Sequence, residues 1–367
     1  MRVLMVSKAN VVGIYQRKLE EIARLGVDLL ALTPPSWRDE RGELLLERVY
    51  TRGYRLEATP IHFNGSFHLH YYPALARHLA AFRPDIVHID EEPYNVASWQ
   101  ALYHARRHGA RAVLFSWQNI NRRYPPPFVW GERWVLRHID HLIAGTDSAA
   151  QVWREKGYRG SISVIPQFGI DPVLFAPDGA RPPDRPFTIG YAGRLVEEKG
   201  VDLLIAAAAQ LPGEWRLVLV GGGPERDRLH AMAREAGIAE RVEFADQVQS
   251  TEMPAFYRRF DVLALPSRTR PNWKEQFGRA LVEAMASGVP VIGSNSGAIP
   301  DVIGEAGLIF PEGDAQALAH HLAALLADAG LRATLGEKGR QRALACFTHE
   351  RIAAATVEVY RQVAAGG

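Results

Sequence analysis

The chain has 367 residues, of which 47% are apolar and 23% are charged. This length predicts two domains of about 100–200 residues each, and the composition excludes a disordered or fibrous chain. The 43 basic and 41 acidic side chains leave a net charge of +2, which is too small to favour nucleic acid as a partner.

The first residues form a short apolar segment that we interpret as a β-strand. Polar residues follow it at Ser7, Lys8 and Asn10, so the segment is too short for the apolar core of a signal peptide. The sequence contains no run of about 18 apolar residues, which argues against a membrane span but leaves contact with a membrane surface open. We therefore expect a cytoplasmic protein that can also act at the inner membrane surface.

Short apolar runs alternate with longer amphipathic segments through the first half of the chain. The pattern predicts strands at 3–6, 27–32, 86–89 and 112–115 and helices at 16–25, 74–82 and 96–108. This alternation is typical of βαβ units and therefore of a parallel sheet. Closely spaced glycine and proline residues in 179–186 interrupt the pattern, and we interpret them as an exposed connection between two domains.

The same alternation resumes after residue 186. It predicts strands at 187–191, 217–220, 262–265 and 289–292, helices at 201–211, 225–236 and 277–287, and closing helices at 314–329, 331–345 and 348–363. We therefore predict an α/β protein with two doubly wound, Rossmann-like domains, 1–180 and 187–345, whose strands end at a shared cleft where ligands bind. The apolar stripe of the last helix predicts that segment 346–367 returns to the first domain.

The first candidate motif is the segment from Gly193 to Gly200, which follows a predicted strand. Gly193 allows the backbone to approach a ligand, while Arg194 offers a planar guanidinium and Lys199 a compact ammonium. This pair of cations suits the oxygens of a diphosphate. The alternative is a tight turn with solvated charges. The glycines of 221–223 are interpreted first as a sharp turn into a helix.

The second candidate motif contains two glutamates, Glu275 and Glu283, eight positions apart. On one helix they would be turned by about 80° and separated by about 12 Å, so they would serve different parts of a long ligand. We place Glu275 in the loop before the helix, near a hexose, and Glu283 in the helix, near ribose hydroxyls. The backbone amides of Phe277 and Gly278 would then meet the distal phosphate at the helix N-terminus. The alternative, two solvated carboxylates, is weakened by the apolar neighbours of Glu283.

Together these motifs resemble glycosyltransferase family 4, also called group 1, whose members are retaining nucleotide-sugar enzymes of GT-B fold. The similarity covers most of the chain and rests on motifs in the family's order and spacing, namely Gly193-Arg194 with Lys199-Gly200, Gly221-Gly-Gly-Pro-Glu225, Glu275 with Glu283, and Gly169-Ile-Asp171 leading to Phe175-Ala-Pro177. The resemblance implies that Arg194 and Lys199 bind the donor diphosphate. It also implies that Glu275, with the amides of Phe277 and Gly278, holds the transferred sugar, and that Glu283 binds the ribose.

The first half of the chain departs from this family at two places. Many members have a histidine beside the reacting sugar, after the strand that corresponds to 112–115, where this chain has Gln118 and Asn119. These amides can position hydroxyl groups but cannot act as a general base. Many members also carry a glycine pair in the first βα loop, where this chain has Gly13 alone as a candidate for donor binding. At the end of strand 86–89, the candidates for acceptor contact are His88, Asp90, Glu91 and Glu92, with a solvated loop as the alternative.

The sequence shows no Asp-x-Asp triplet and no metal-type spacing of histidines and carboxylates. We therefore predict a metal-independent enzyme with no cofactor, whose co-substrate is a UDP- or GDP-hexose. The predicted reaction moves the hexosyl group, with retention, to a hydroxyl of a glycan, lipid-linked or small acceptor. A nucleotide-sugar epimerase and a non-catalytic nucleotide-sugar binding protein remain as alternatives. The base, the hexose, the acceptor and the oligomeric state are not predicted.

Overall fold

The structure is a computed structural model that describes residues 1–39, 42–177, 185–249 and 252–366. The contacts divide the chain into two compact units. Unit 1 consists of Met1–Gly169 together with the C-terminal segment from His349, and unit 2 consists of Ile170–Thr348. Most of the predicted connection at 179–186 lies outside the described residues.

Unit 1 is built on a parallel sheet with seven strands among the described residues, in the order β5-β2-β1-β6-β7-β8-β9. Its strands, including a separate antiparallel hairpin of β3 and β4, are β1 (Arg2–Val6), β2 (Asp28–Thr33), β3 (Ser36–Asp39), β4 (Gly42–Leu45), β5 (Arg55–Ala58), β6 (Ile86–Ile89), β7 (Arg111–Ser116), β8 (His141–Ala144) and β9 (Ile162–Val164). Its first helices are α1 (Arg17–Arg24), α2 (Leu75–Phe82), α3 (Val96–Arg107), α4 (Phe128–His138) and α5 (Asp147–Glu155).

Unit 2 contains a second parallel sheet, with six strands in the part of the chain that is described, in the order β12-β11-β10-β13-β14-β15. The strands are β10 (Phe187–Ala192), β11 (Trp215–Val220), β12 (Val242–Ala245), β13 (Val262–Leu265), β14 (Val291–Ser294) and β15 (Leu308–Phe310). The helices are α6 (Val201–Ala208), α7 (Arg226–Glu235), α8 (Met253–Tyr257), α9 (Arg279–Ala286), α10 (Ile299–Ile303), α11 (Ala315–Ala327) and α12 (Ala329–Cys346).

The last helix, α13 (His349–Ala365), packs against the sheet of unit 1. Its side chains Val357 and Tyr360 share an apolar cluster with Val3 and Met5 of β1 and with Leu19 of α1. Alternate residues of a strand point to opposite faces of the sheet, so this cluster covers one face of β1, and the other face is covered by a separate cluster. Helix α13 thus belongs to the unit formed by the first residues of the chain.

The boundary between the units precedes the one that we placed at residue 180. Ile170 pairs with Thr348, and the ring of Phe175 lies 6.0 Å from that of Tyr257. Phe175 is also fully buried in this packing. Residues 170–177 therefore belong to unit 2, because their backbone and apolar contacts are made there.

Most predicted elements are present at or near the predicted positions, and strands 86–89 and 262–265 coincide with β6 and β13. The helix predicted from residue 277 begins at Arg279, because Gly278 has a φ of 75° and precedes the first helical turn. The strand predicted at 289–292 is β14 at 291–294, since Pro290 lacks the N–H of a strand interior. Among the described residues, every helix is too short or too polar to span a lipid bilayer.

Candidate functional site

The loops that follow β10 and β11 are locked together. The Leu195 N–H donates a hydrogen bond to the Gly222 carbonyl at 2.8 Å. A Cβ atom on Gly221 would lie 2.0 Å from the Gly193 carbonyl oxygen, and one on Gly223 would lie 2.2 Å from that of Leu195. The glycines therefore permit a close backbone approach, and the structural interpretation of 221–223 holds.

This locked loop presents the two predicted cations in different ways. The Arg194 side chain is 45% exposed, and one of its guanidinium nitrogens lies 3.7 Å from a carboxylate oxygen of Glu198. The Tyr191 hydroxyl donates to the Arg194 carbonyl at 2.7 Å and so holds the backbone in place. Lys199 is more enclosed, and its Nζ donates to Oε2 of Glu275 at 2.6 Å. The structure thus joins the first predicted motif to the second.

Glu275 lies in a loop, as predicted, and is held by residues that sequence reasoning missed. The Ser267 hydroxyl donates to Glu275 Oε2 at 3.0 Å, and the Ala298 N–H donates to the Glu275 carbonyl at 3.0 Å. Gly297 has a φ of 54°, and a Cβ atom there would lie 2.1 Å from the Glu275 carbonyl oxygen. The sequence offered one signal for these residues around Glu275, since Ser267 follows closely after a predicted strand.

Phe277 and Gly278 lie immediately before α9, where the first N–H groups of the helix have no intrahelical partner. The Phe277 ring is buried and lies 5.7 Å from the ring of Phe347. Its side chain therefore fixes the position of the helix N-terminus. The backbone amides are the groups that can face an anion.

Glu283 lies in α9, as predicted, and is 5% exposed. The Tyr257 hydroxyl donates to its Oε2 at 2.7 Å, and Arg279 Nε lies 2.7 Å from its Oε1. Burial, together with the Glu283 carboxylate, raises the pKa of the Tyr257 phenol well above its ordinary value. The spacing of Arg279 four positions before Glu283 was a usable signal, whereas no local pattern points to Tyr257. A carboxylate oxygen has two lone pairs, so each oxygen of Glu283 can still accept a hydrogen bond from a hydroxyl group.

The donor-binding role of Gly13 stays a prediction, and the structure shows what this residue contacts within the protein. The Gly13 N–H donates to Glu47 Oε2 at 2.6 Å, so this amide already binds an anionic group of the protein. A Cβ atom on Gly13 would lie 2.3 Å from a methyl carbon of Val49. The glycine is therefore explained by the packing of residues 47–49 across the first βα loop.

The acceptor contact predicted for His88 is wrong. The side chain lies within β6 on the face that α13 covers, and it is 2% exposed. Its Nδ1 is 2.6 Å from the Tyr360 hydroxyl. Burial, followed by the charge of Lys18, lowers the pKa of His88 from 6.5 to about 3. The imidazole is thus a neutral part of the packing between β6 and α13.

Gln118 and Asn119 are both 6% exposed and lie in the loop after β7. Gln118 holds this loop together, because its N–H donates to Ser116 Oγ at 3.1 Å and its Nε2 donates to the Ile120 carbonyl at 3.0 Å. Its Oε1 is buried without a hydrogen-bond donor among the described residues. The structure therefore gives Gln118 a structural part in the loop and leaves one buried acceptor atom.

The same loop is bound to Glu92, one of the candidates for acceptor contact at the end of strand 86–89. Ser116 Oγ donates to Glu92 Oε2 at 2.6 Å, and the Trp117 N–H donates to Oε1 at 2.8 Å. Burial raises the pKa of Glu92 to about 7, against the opposing effect of these hydrogen bonds. Within the described ranges, no three histidine, cysteine or carboxylate side chains are grouped to hold a metal ion.

Two family models match the chain, "Glycosyl transferases group 1" over residues 176–342 and "Glycosyl transferase 4-like domain" over residues 14–167. The chain is 33% identical over 229 residues to the lipopolysaccharide core biosynthesis glycosyltransferase LpsE of Rhizobium meliloti, across 61% of this chain and 65% of LpsE. It is 34% identical over 224 residues to a GDP-mannose-dependent alpha-(1-6)-phosphatidylinositol monomannoside mannosyltransferase of Mycobacterium tuberculosis, across 56% of this chain and 57% of that enzyme. The chain thus spans less than two thirds of the length of these relatives.

Among solved structures, the chain is similar to Anabaena HepE in complex with UDP, with a TM-score of 0.77 and 20% identity. The alignment covers 99% of this chain and 100% of HepE. This likeness concerns the fold. It confirms the predicted α/β class with two Rossmann-like parallel-sheet domains of GT-B type.

Proposed function

The chain belongs to the group 1 glycosyltransferases, family 4, and we propose that it transfers a hexosyl group from a UDP- or GDP-sugar to a hydroxyl group. The observation that carries this proposal is the contact between Lys199 and Glu275, which joins the cationic loop to the carboxylate loop of unit 2. Two names among the similar proteins support the donor class, since HepE forms a complex with UDP and the mycobacterial relative is GDP-mannose-dependent.

The diphosphate end of the donor is assigned to Arg194, Lys199 and the amides of Phe277 and Gly278. Negative charge builds on the diphosphate as the sugar departs, so cations and helix N-terminal amides stabilise the transition state more than the ground state. Lys199 has three N–H donors and uses one of them for Glu275. The same two cations supply the positive charge that a divalent metal would otherwise bring, so we propose a metal-independent reaction.

The hexose and the ribose of the donor are assigned to the carboxylates of Glu275 and Glu283. Glu275 accepts a hydrogen bond from a hydroxyl of the hexose. Glu283 accepts a hydrogen bond from a ribose hydroxyl, through lone pairs that Tyr257 and Arg279 do not use. The departing phosphate takes the proton of the attacking hydroxyl on the same face of the sugar. The anomeric configuration is therefore retained without a protein nucleophile.

The names of the relatives support an acceptor class, since one is a lipopolysaccharide core biosynthesis glycosyltransferase and the other a phosphatidylinositol monomannoside mannosyltransferase. We propose a glycan or lipid-linked hydroxyl, with a small hydroxyl compound as the remaining choice. An enzyme with a lipid-linked acceptor would work in the cytoplasm at the inner membrane surface, through peripheral contact. Asn119, beside the loop that Gln118 holds, is the residue of unit 1 that we assign to positioning hydroxyl groups.

The test is a thermal-shift screen with UDP, GDP, ADP and their common sugars, followed by a transfer assay with the donor that binds. A ligand at a hundredfold excess over its Kd adds about 2.7 kcal/mol to stability. We expect one nucleotide family to bind and its sugar to be transferred with retention, as read from the anomeric proton of the product. Conversion of the donor without any acceptor would indicate the epimerase. Binding without hydrolysis or transfer across an acceptor screen would indicate the binding protein.

A further inference from the structure

The loop between β13 and α9 contains a small closed hairpin, residues 268–274, which we call the Trp273 hairpin. The Arg270 N–H donates to the Trp273 carbonyl at 2.7 Å, and the Trp273 N–H donates to the Arg270 carbonyl at 3.2 Å. Pro271 and Asn272 form the turn between them. These two backbone hydrogen bonds fix where the Trp273 side chain leaves the loop.

Three side chains anchor this hairpin to the rest of unit 2. Arg268 binds both carboxylate oxygens of Asp202, at 2.9 and 3.0 Å, in the bidentate geometry that suits a guanidinium. The Thr269 hydroxyl donates to Glu312 at 2.7 Å. Arg270 is paired with Glu197, which lies in the same loop as Lys199. The Trp273 hairpin is therefore tied to the loop that presents the cations.

The hairpin places an indole ring beside the centre of the candidate site. The Lys199 Nζ lies 5.0 Å from the centroid of the Trp273 ring, which is a cation–π distance, and the same Nζ binds Glu275 at 2.6 Å. Trp273 is partly exposed. Its indole N–H can donate one hydrogen bond.

We propose that Trp273 contacts the hexose of the nucleotide sugar and is a specificity-determining residue for the sugar that is transferred. This inference rests on the proposed function, because Glu275 is the group assigned to that hexose. A pyranose ring has an apolar C–H surface bordered by hydroxyl groups. An indole offers a matching apolar face and one N–H donor at its edge.

The indole N–H of Trp273 is the group that can discriminate between hexoses. A site that donates a hydrogen bond to one hydroxyl discriminates against a sugar whose hydroxyl points elsewhere, because a buried donor is then left unpaired. The apolar face adds affinity for any hexose that lies on it. Loss of the ring and loss of the N–H alone are therefore expected to have different effects.

The experiment compares Kd values of the nucleoside diphosphate and of its sugars, by calorimetry, for the wild type and three variants. The variants are Trp273→Ala, Trp273→Phe and, as a matched control, Trp130→Ala, whose indole is exposed on α4 of unit 1. We expect Trp273→Ala to weaken nucleotide-sugar binding about tenfold while the nucleoside diphosphate Kd stays within about twofold. Trp273→Phe should keep most of the affinity but lose the preference among hexoses. The control should change neither.

Two results would overturn the inference while leaving the proposed function intact. Equal weakening of the nucleoside diphosphate and its sugar would mean that Trp273 only supports Lys199. Unchanged binding of every ligand would mean that the indole does not meet the hexose. If the wild type binds no nucleotide sugar at all, the proposed function fails, and the inference fails with it. Melting temperatures of the variants identify any unfolded protein, and Trp273→Phe keeps the test decisive if Trp273→Ala does not fold.

Discussion

The Lys199 ammonium donates a 2.6 Å hydrogen bond to the Glu275 carboxylate, although the two residues lie 76 positions apart in the chain. Their side chains are 16% and 9% exposed, so water screens this pair only in part. The pair orients each group before a ligand arrives. One remaining side of the ammonium can then meet a phosphate while the carboxylate meets a sugar hydroxyl.

Replacement of Lys199 is expected to damage both catalysis and folding. Lys199→Ala leaves the enclosed Glu275 carboxylate without its cation and removes charge from the diphosphate, so kcat should fall by about 10²–10³-fold. Initial rates at saturating donor test this, with the exposed Lys338→Ala as control. Turnover within a factor of three of the wild type would refute the assignment of Lys199.

Arg194 should affect turnover much more than stability. The side chain is 45% exposed, and exposed ion pairs contribute little to stability, so Arg194→Ala should leave the melting temperature nearly unchanged. The kcat should fall by about a hundredfold, while the KM for acceptor stays constant. The control is Arg216→Ala on β11, which is also exposed. A selective rise in the acceptor KM would move Arg194 to a different site.

Tyr257 is expected to support nucleotide binding through Glu283. Tyr257→Phe removes the donor of the 2.7 Å hydrogen bond and leaves a buried carboxylate oxygen without it, at a cost of about 1–3 kcal/mol of unfolding free energy. Urea unfolding and the donor KM measure the two effects. Tyr158→Phe, whose hydroxyl donates to the Ser161 carbonyl in unit 1, should leave the donor KM unchanged. An unaltered donor KM in Tyr257→Phe would separate Glu283 from the ribose.

Gly297 should prove to be a positioning residue for Glu275. In Gly297→Ala the new methyl group would lie 2.1 Å from the Glu275 carbonyl oxygen and would also disfavour a φ of 54°. The control is Gly313→Ala, which has a φ of 79° with no atom within 4 Å of the new methyl. Both variants should lose about 1 kcal/mol of stability to backbone strain. Only Gly297→Ala should also lose kcat, and equal kcat values in the two variants would contradict this role.

His88 makes stability depend on pH. Its pKa is about 3 in the folded chain against 6.5 ordinarily, so the unfolded chain binds more protons between these values. The stability that neutral His88 contributes above pH 6.5 is therefore lost as pH falls, by up to about 1.4 kcal/mol per pH unit. In His88→Gln this slope should be smaller in urea titrations at pH 7 and pH 5. Equal slopes in the wild type and in His88→Gln would exclude His88 as the cause.

The strands and the positions of Glu275 in a loop and Glu283 in a helix could be predicted because their signals are local. Runs such as 86–89 and 262–265 are apolar along their whole length, as expected for strands buried on both faces of a parallel sheet. Glu275 and Glu283 were distinguished by helix geometry alone. Contacts between residues that are distant in sequence gave no such signal. For example, the hydroxyl of Tyr257 reaches Glu283 from a different helix.

The surroundings of His88 and Gly13 could not be predicted, and the reason is the same for both residues. His88 shares the parity of Ile86 in β6, so its side chain lies on the face that a helix from the far end of the chain covers. The position of His88 near a strand end suggested an exposed side chain. It is buried because α13 covers it. Gly13 was interpreted from its neighbours in sequence, whereas the residues that require its small size are 47–49.

Helix α13 also sets the order in which the protein can mature on the ribosome. Residues 1–169 leave the exit tunnel first, but the apolar layer beneath β1 stays uncovered until Tyr360 and its neighbours are synthesised. Unit 2 is translated in between, and its six described strands are synthesised before that point. Unit 1 therefore completes this apolar layer only after the strands of unit 2 have been synthesised, and transiently exposed apolar surface of this kind favours aggregation.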